Sequence, residues 1–215
     1  MKQLSFIWDL DGTLLDTYTA IVNTLSALAE QVGAAEPRED IHRKVILDSV
    51  HGYLHALSEK TGISVNDLDK MGDAIDAEFD NRIPPIPHTK ETLAFLQERN
   101  GQHFVVTHRG ESAYSMLKEQ GLFPYFKEII TAADGFPRKP APDAVNFLIE
   151  KYDLDRAHTY YVGDRIIDME CAKNAGIKGI LYLPKDSYCE RNGSEAFAVE
   201  DLLEIADSME KAAAL

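Results

Sequence analysis

The sequence predicts an α/β fold: a Rossmann-like open sheet, mainly parallel, with helices on both faces and an inserted all-helical cap domain. Three observations predict it. Short apolar runs rich in aromatic and β-branched residues recur along the chain, segments of helical period lie between them, and one long stretch after the first run holds no strand pattern. Alternating strands and helices imply parallel strands joined by right-handed crossovers. Composition permits the architecture, since 45% of the 215 residues are hydrophobic and 9% aromatic. That is enough to pack a core and too much for a disordered chain.

In chain order, Leu4 to Trp8 reads as a buried strand. From Asp16 to about Arg82 the period is helical: Ile21, Val22, Leu25, Leu28, Ala29 and Val32 form one apolar stripe, and Leu68, Met71, Ile75 and Phe79 another. Gly33 and Thr61-Gly62 mark helix ends, and Pro84-Pro85-Ile86-Pro87 closes the block with a stiff connector. A cap is therefore expected over residues 16–84, and a core over 1–15 and 85–215. Further strands are expected at Phe104 to Thr107, Glu128 to Thr131, Thr159 to Gly163 and Gly179 to Leu183. A helix carrying Val145, Leu148, Ile149 and Tyr152 should begin near Pro142, where the missing N–H costs nothing. The tail Ala212-Ala213-Ala214 is expected to fray.

Charge narrows the function. With 36 acidic against 22 basic residues the net charge is −14, which repels phosphate backbones and anionic lipid. Neither nucleic acid nor membrane is expected as a partner. The apolar run before Asp9 is too short for a signal or a span, and two cysteines, Cys171 and Cys189, build no disulfide framework and suit a reducing compartment. These features predict a cytoplasmic protein, a monomer or weak homodimer.

The chemistry-bearing residues fall at strand ends, where open α/β sheets collect their ligands. Asp9 and Asp11 stand two apart before Gly12. Taken alone, such a pair equally initiates a turn or caps a helix, while a calcium loop fails because Gly12 and Ala20 occupy the wrong positions. Thr107-His108-Arg109-Gly110 offers a hydroxyl and backbone donors to an anion. Lys139 precedes another helix and by itself reads as a solvated surface charge; Asp164 and Asp168 lie four apart and by themselves read as caps. Four strand ends supplying groups suited to phosphate and metal point to one site.

In the order of these motifs the chain resembles the haloacid dehalogenase superfamily. The branch it resembles carries a helical cap between the first two motifs, as in phosphoglycolate phosphatases and β-phosphoglucomutases. The resemblance rests on Asp9 to Leu14, Thr107, Lys139, and Asp164 to Asp168. It implies Asp9 as the nucleophile that forms an aspartyl-phosphate and Asp11 as general acid and base. It further implies Mg²⁺ held by Asp9, the Asp11 backbone carbonyl, Asp164 and, directly or through water, Asp168. Thr107 would hold the transferring oxygens and Lys139 would balance charge. Asp11 favours phosphoryl transfer over dehalogenation, since attack on carbon needs no acid there.

The expected function is thus a Mg²⁺-dependent phosphatase acting on a small phosphorylated metabolite. A phosphomutase of the β-phosphoglucomutase type and a non-catalytic phosphate-binding regulator are the alternatives. Motif two departs from the usual asparagine with His108 and Arg109. Either could reach substrate, and His108 could equally be bonded into its loop. In the cap, Arg43 and Lys44 could meet a second anionic group, within a polar cluster that includes His42, Ser49 and His51. A solvated helix face is the competing reading.

Overall fold

The computed structural model describes residues 3–76 and 83–213. Six parallel strands form one sheet: β1 (Ser5–Trp8), β2 (Gln102–Val106), β3 (Phe126–Ile130), β4 (Thr159–Gly163), β5 (Lys178–Tyr182) and β6 (Phe197–Val199). Their order across the sheet is β3-β2-β1-β4-β5-β6. After β1 the chain continues on one side with β2 and β3, then returns to place β4 on the other. The order therefore reverses at β1, and the crevice beyond the carboxyl ends of β1 and β4 is where this topology binds ligands.

Two compact units are present, Met1–Asp16 with Pro84–Leu215, and Thr17–Ile83. In the first, residues of alternating direction feed opposite faces of the sheet. On one face Ile7, Phe104 and Tyr161 pack with α7 (Asp143–Tyr152) and α8 (Ile166–Asn174) through Val145, Leu148, Ile149 and Ala172. On the other, Trp8 Nε1 donates to His103 Nδ1 (3.1 Å), and His103 Nε2 meets the Leu93 carbonyl (3.1 Å) of α5 (Thr89–Glu98). Burial pushes the His103 imidazole down to about 4, so it packs neutral, its Nε2–H donating to that carbonyl. The remaining helices of this unit are α6 (Ser112–Glu119) and α9 (Leu203–Ala213).

The second unit holds α1 (Tyr18–Gln31), α2 (Arg38–Leu47), α3 (Val50–Thr61) and α4 (Val65–Asp76). Val22, Leu25, Leu28, Ile41, Val45, Leu54, Leu57 and Leu68 form its core, with Ile21, Val32, Met71 and Ile75 partly buried against it. Both apolar stripes read from the sequence thus face inward, apart from Phe79, which lies outside the described residues. The two passages of chain between the units are bonded side by side, with the Asp16 N–H donating to the Pro84 carbonyl (2.9 Å) and the Ile86 N–H to the Leu14 carbonyl (3.0 Å).

Several boundaries differ from expectation. β2 begins at Gln102 and ends before Thr107, because buried polar residues extend it. The Gln102 amide donates to Ser5 Oγ (2.9 Å) and accepts from Lys127 (2.6 Å), which satisfies groups an apolar run would omit. β3 likewise starts at Phe126 and stops before Thr131. β6 is an additional, three-residue strand. The helix α9 includes Ala212 and Ala213 of the tail expected to fray, in keeping with the helix preference of alanine, and Ala214 lies outside the described residues. Among the described residues no helix is long and apolar enough to cross a membrane.

Candidate active site

The backbone carries Asp9 out of the sheet directly onto the crevice, held by its N–H to the Val162 carbonyl of β4 (2.9 Å). A tight loop follows. The N–H groups of Leu14 and Leu15 both return to the Leu10 carbonyl (3.0 Å each), and the turn passes through Gly12 at φ 78, where any other residue would be strained. That turn brings Thr13 Oγ1 to donate to Asp164 Oδ1 (3.1 Å), tying the end of β1 to the end of β4.

Ligand oxygens of Asp9, Asp164 and Asp168 lie within 4.8 Å of one another, and all three residues are buried. Into this group reaches Lys139, whose ammonium donates to Asp9 Oδ1 (2.7 Å) and Asp168 Oδ1 (2.6 Å) with only 2% of its side chain exposed. The solvated-charge reading of Lys139 is thereby overturned. Asp168 does also cap α8, accepting from the Arg165 N–H through Oδ2 (3.2 Å). Cap and cluster are one role here: the capping bond turns Oδ1 toward Lys139. Gly163 makes room for it, since a Cβ there would stand 2.4 Å from the Asp168 Cβ and 2.5 Å from its carboxyl.

Three buried carboxylates face one buried ammonium. Burial pushes Asp9 up to about 6, with Lys139 pulling the other way and Asp168 adding repulsion. Burial disfavours the Lys139 ammonium, yet Asp168 and Asp9 outweigh it and push the group up to about 12. Lys139 and, at longer range, Arg165 offset part of the negative charge, and the donor atoms the three side chains offer are hard carboxylate oxygens. A divalent cation such as Mg²⁺ fits both the charge and the donor set.

Motif two sits beside this cluster. Thr107 is buried at the end of β2, its N–H bonded to the Ile130 carbonyl (3.0 Å) and its Oγ1 accepting from the Arg109 N–H (3.0 Å). His108 Nε2 accepts from the Lys139 N–H (2.7 Å), so the imidazole joins the second and third motif loops. Burial, then the positive charges of Lys139, Arg138 and Arg165, push it down to about 3 and keep it neutral. Asp11 does not join the carboxylate cluster. Its side chain pairs with the Arg109 guanidinium (2.7 Å).

Arg43 and Lys44 belong to the helical unit, on exposed turns of α2, where Arg43 pairs with Glu39 (3.6 Å) and Lys44 with Glu36. Ser49 caps α3 by accepting from the Gly52 N–H (2.9 Å), and His51 Nε2 faces His55 Nε2 (3.1 Å). Lys44 also lies over the ring of the buried Tyr53, 5.8 Å from its centroid. Sequence reasoning missed Thr13 and Gly163 as supports of the cluster. The signal for each was its place, one residue after Gly12 and one before Asp164.

A buried acid–lysine cluster at the switch point of a parallel sheet defines an enzyme of the α/β class. A family model described as haloacid dehalogenase-like hydrolase matches residues 6–182. The chain belongs to that family. It is 29% identical over 187 residues to a phosphoglycolate phosphatase of Vibrio parahaemolyticus, covering 82% of this chain and 81% of that protein. It is 24% identical over 211 residues to the pyrophosphatase PpaX of Oceanobacillus iheyensis, covering 95% and 96%. In fold it is similar to a solved structure from Haemophilus somnus described as a predicted phosphoglycolate phosphatase, with TM-score 0.83, 18% identity, and 97% and 99% of the two chains covered.

Proposed function

We propose that the protein is a Mg²⁺-dependent phosphatase that hydrolyses a small phosphorylated metabolite through an aspartyl-phosphate on Asp9. The observation that carries this reading is the placement of Asp9 at the carboxyl end of β1, buried within one cluster with Lys139, Asp164 and Asp168. Burial raises the pKa of Asp9, while the Lys139 ammonium favours the ionised form that attacks. An Asp9 oxygen forms a bond to phosphorus as the bond to the leaving oxygen breaks, and Asp11 supplies the proton that oxygen needs. Asp11 then takes a proton from water as the water attacks phosphorus, releasing inorganic phosphate and restoring Asp9.

Thr107 donates its hydroxyl hydrogen to a transferring oxygen, since its lone pair already receives the Arg109 N–H. Lys139 balances the charge that gathers on Asp9 and on the phosphoryl oxygens. The side chains of Asp9 and Asp164 and the Asp11 backbone carbonyl would hold Mg²⁺, with Asp168 acting directly or through water. When bound, the ion supplies the charge neutralisation that lets a carboxylate approach a dianionic phosphate. In this reading His108 and Arg109 would meet substrate oxygens from the motif-two loop, and Arg43 and Lys44 of the helical unit would meet a further anionic group.

The relatives' names indicate phosphoglycolate and pyrophosphate, small compounds with a second anionic group, as the first substrates to try. The enzyme works in the cytoplasm as a monomer or weak homodimer, apart from nucleic acid and membranes. The test is a screen of aryl phosphate, sugar phosphates, phosphoglycolate and pyrophosphate with and without Mg²⁺, beside Asp9→Asn. Metal-dependent release of phosphate by the native protein alone supports the reading. Turnover that survives Asp9→Asn, or that ignores EDTA, defeats it.

A further inference from the structure

Asp11 and Arg109 meet in a contact that neither the motif order nor the family likeness announces. Arg109 Nε lies 2.9 Å from Asp11 Oδ1 and 3.2 Å from Oδ2, while Nη2 lies 2.7 Å from Oδ1. One guanidinium thus engages both oxygens of the carboxylate to which the proton transfers are assigned. Oδ1 has both of its lone pairs taken by this guanidinium, and a paired cation favours the ionised form of a carboxylate, so loosening the contact is what lets Asp11 carry a proton.

The surroundings suit a contact that opens. The Arg109 backbone is fixed at both ends, its N–H donating to Thr107 Oγ1 (3.0 Å) and its carbonyl accepting from the Ala132 N–H (2.9 Å), so the movable part is the side chain. The paired side chains are 23% and 24% exposed, against 2% for Lys139, and a partly hydrated ion pair is cheap to break. Arg109 also follows Thr107 by two residues beyond the end of β2, the strand paired with β1 that leads to Asp9.

We propose that Arg109 is a phosphate-responsive latch on Asp11: it grips the carboxylate until a phosphate group arrives, then transfers its fork to the phosphate oxygens and frees Asp11. The exchange is chemically matched, because a guanidinium takes carboxylate and phosphate oxygens in the same two-pronged geometry. It is favoured in one direction, because a phosphate dianion brings two charges where Asp11 brings one. The released carboxylate takes a proton from solvent, gives it to the leaving oxygen and later takes one from the attacking water, so acid–base capacity is delivered when ester is bound. The latch rests on the phosphatase reading above.

Affinity for orthophosphate with Mg²⁺ present, measured by titration calorimetry, tests it without recourse to turnover. Four proteins are compared: native, Asp11→Asn, Arg109→Gln and the double variant, each first shown to melt like the native protein. Arg109→Lys stands in if the glutamine variant does not fold. Arg109→Gln should weaken binding about tenfold or more, by loss of a charged two-pronged contact. Asp11→Asn should tighten it about fivefold, because the guanidinium no longer leaves a partner. In the double variant the Asp11→Asn gain should fall below about twofold. Loss of a nearby negative charge would by itself give an equal gain in both backgrounds, and that result overturns the latch. Unchanged affinity in Arg109→Gln overturns it as well. If the native protein turns over esters while either of these results appears, the latch alone fails. If it neither binds phosphate nor turns over esters, the phosphatase reading fails and the latch with it.

Discussion

Replacing Asp9 with asparagine should abolish turnover and yet stabilise the metal-free protein at neutral to alkaline pH. Asp9 ionises inside the core, where burial has pushed it from an ordinary 3.8 to about 6. At about 1.36 kcal/mol for a tenfold change, that rise puts the cost of keeping it ionised on the order of 3 kcal/mol. The folded value lies above the unfolded one, so the favourable contribution is complete below pH 3.8 and is lost as pH rises through about 6. Asparagine escapes that loss, though it gives up the charge on the bond from Lys139, so a net gain of about 1–2 kcal/mol at pH 8 is expected. For a chain of this length that corresponds to roughly 2–8 °C in Tm. The assay is a calorimetric melt of both proteins in EDTA from pH 4.5 to 8. The gap between them should widen as pH rises from 4.5, stand half open near about pH 5, midway between the unfolded and folded values, level off above about 6, and narrow when Mg²⁺ is added to the native protein. A gap that does not vary with pH, or an asparagine variant that melts lower at pH 8, would refute the claim that buried charge at Asp9 is held against a stability cost.

Lys139→Met leaves three buried carboxylates without their ammonium and should cost about 3–5 kcal/mol in EDTA, part of which Mg²⁺ restores; denaturant titrations with and without the metal check both halves. Gly163→Ala puts a methyl against the Asp168 carboxyl and should cost about 1–3 kcal/mol, with activity falling at least about tenfold as Asp168 is displaced; a thermal melt and a steady-state assay read the two effects.

Much of the fold was legible because buried parallel strands are apolar runs. β1 and β4 stand almost where their sequences indicate. What blurred was polarity inside the sheet. Gln102 and His103 look like loop residues until Ser5, Lys127, Trp8 and Leu93 supply their hydrogen bonds, and all but Leu93 are distant in sequence. β6 follows a polar segment and is only three residues long, too short for any periodicity to register. Within the site, Asp9 and Asp164 stand out because each follows a strand, and Asp168 because it lies in the first turn of a helix, whereas Lys139 lies in a turn four residues ahead of α7. The partner of Asp11 was not legible, because nothing in the spacing of residues 11 and 109 tells which way either side chain turns.

Sequence alone determined the kinds of groups available, carboxylates, a lysine, a hydroxyl and a guanidinium, and the strand ends that would present them. It did so because strand and helix periods are local properties. Only the tertiary structure decided that Lys139 is a buried counter-ion and not a surface charge. It also decided that Gly163 is a clearance for Asp168, and that Arg109 holds Asp11. Each of these depends on the distance between atoms brought together from different strands, and burial, which sets the strength of every charge in the cluster, exists only once the strands are side by side.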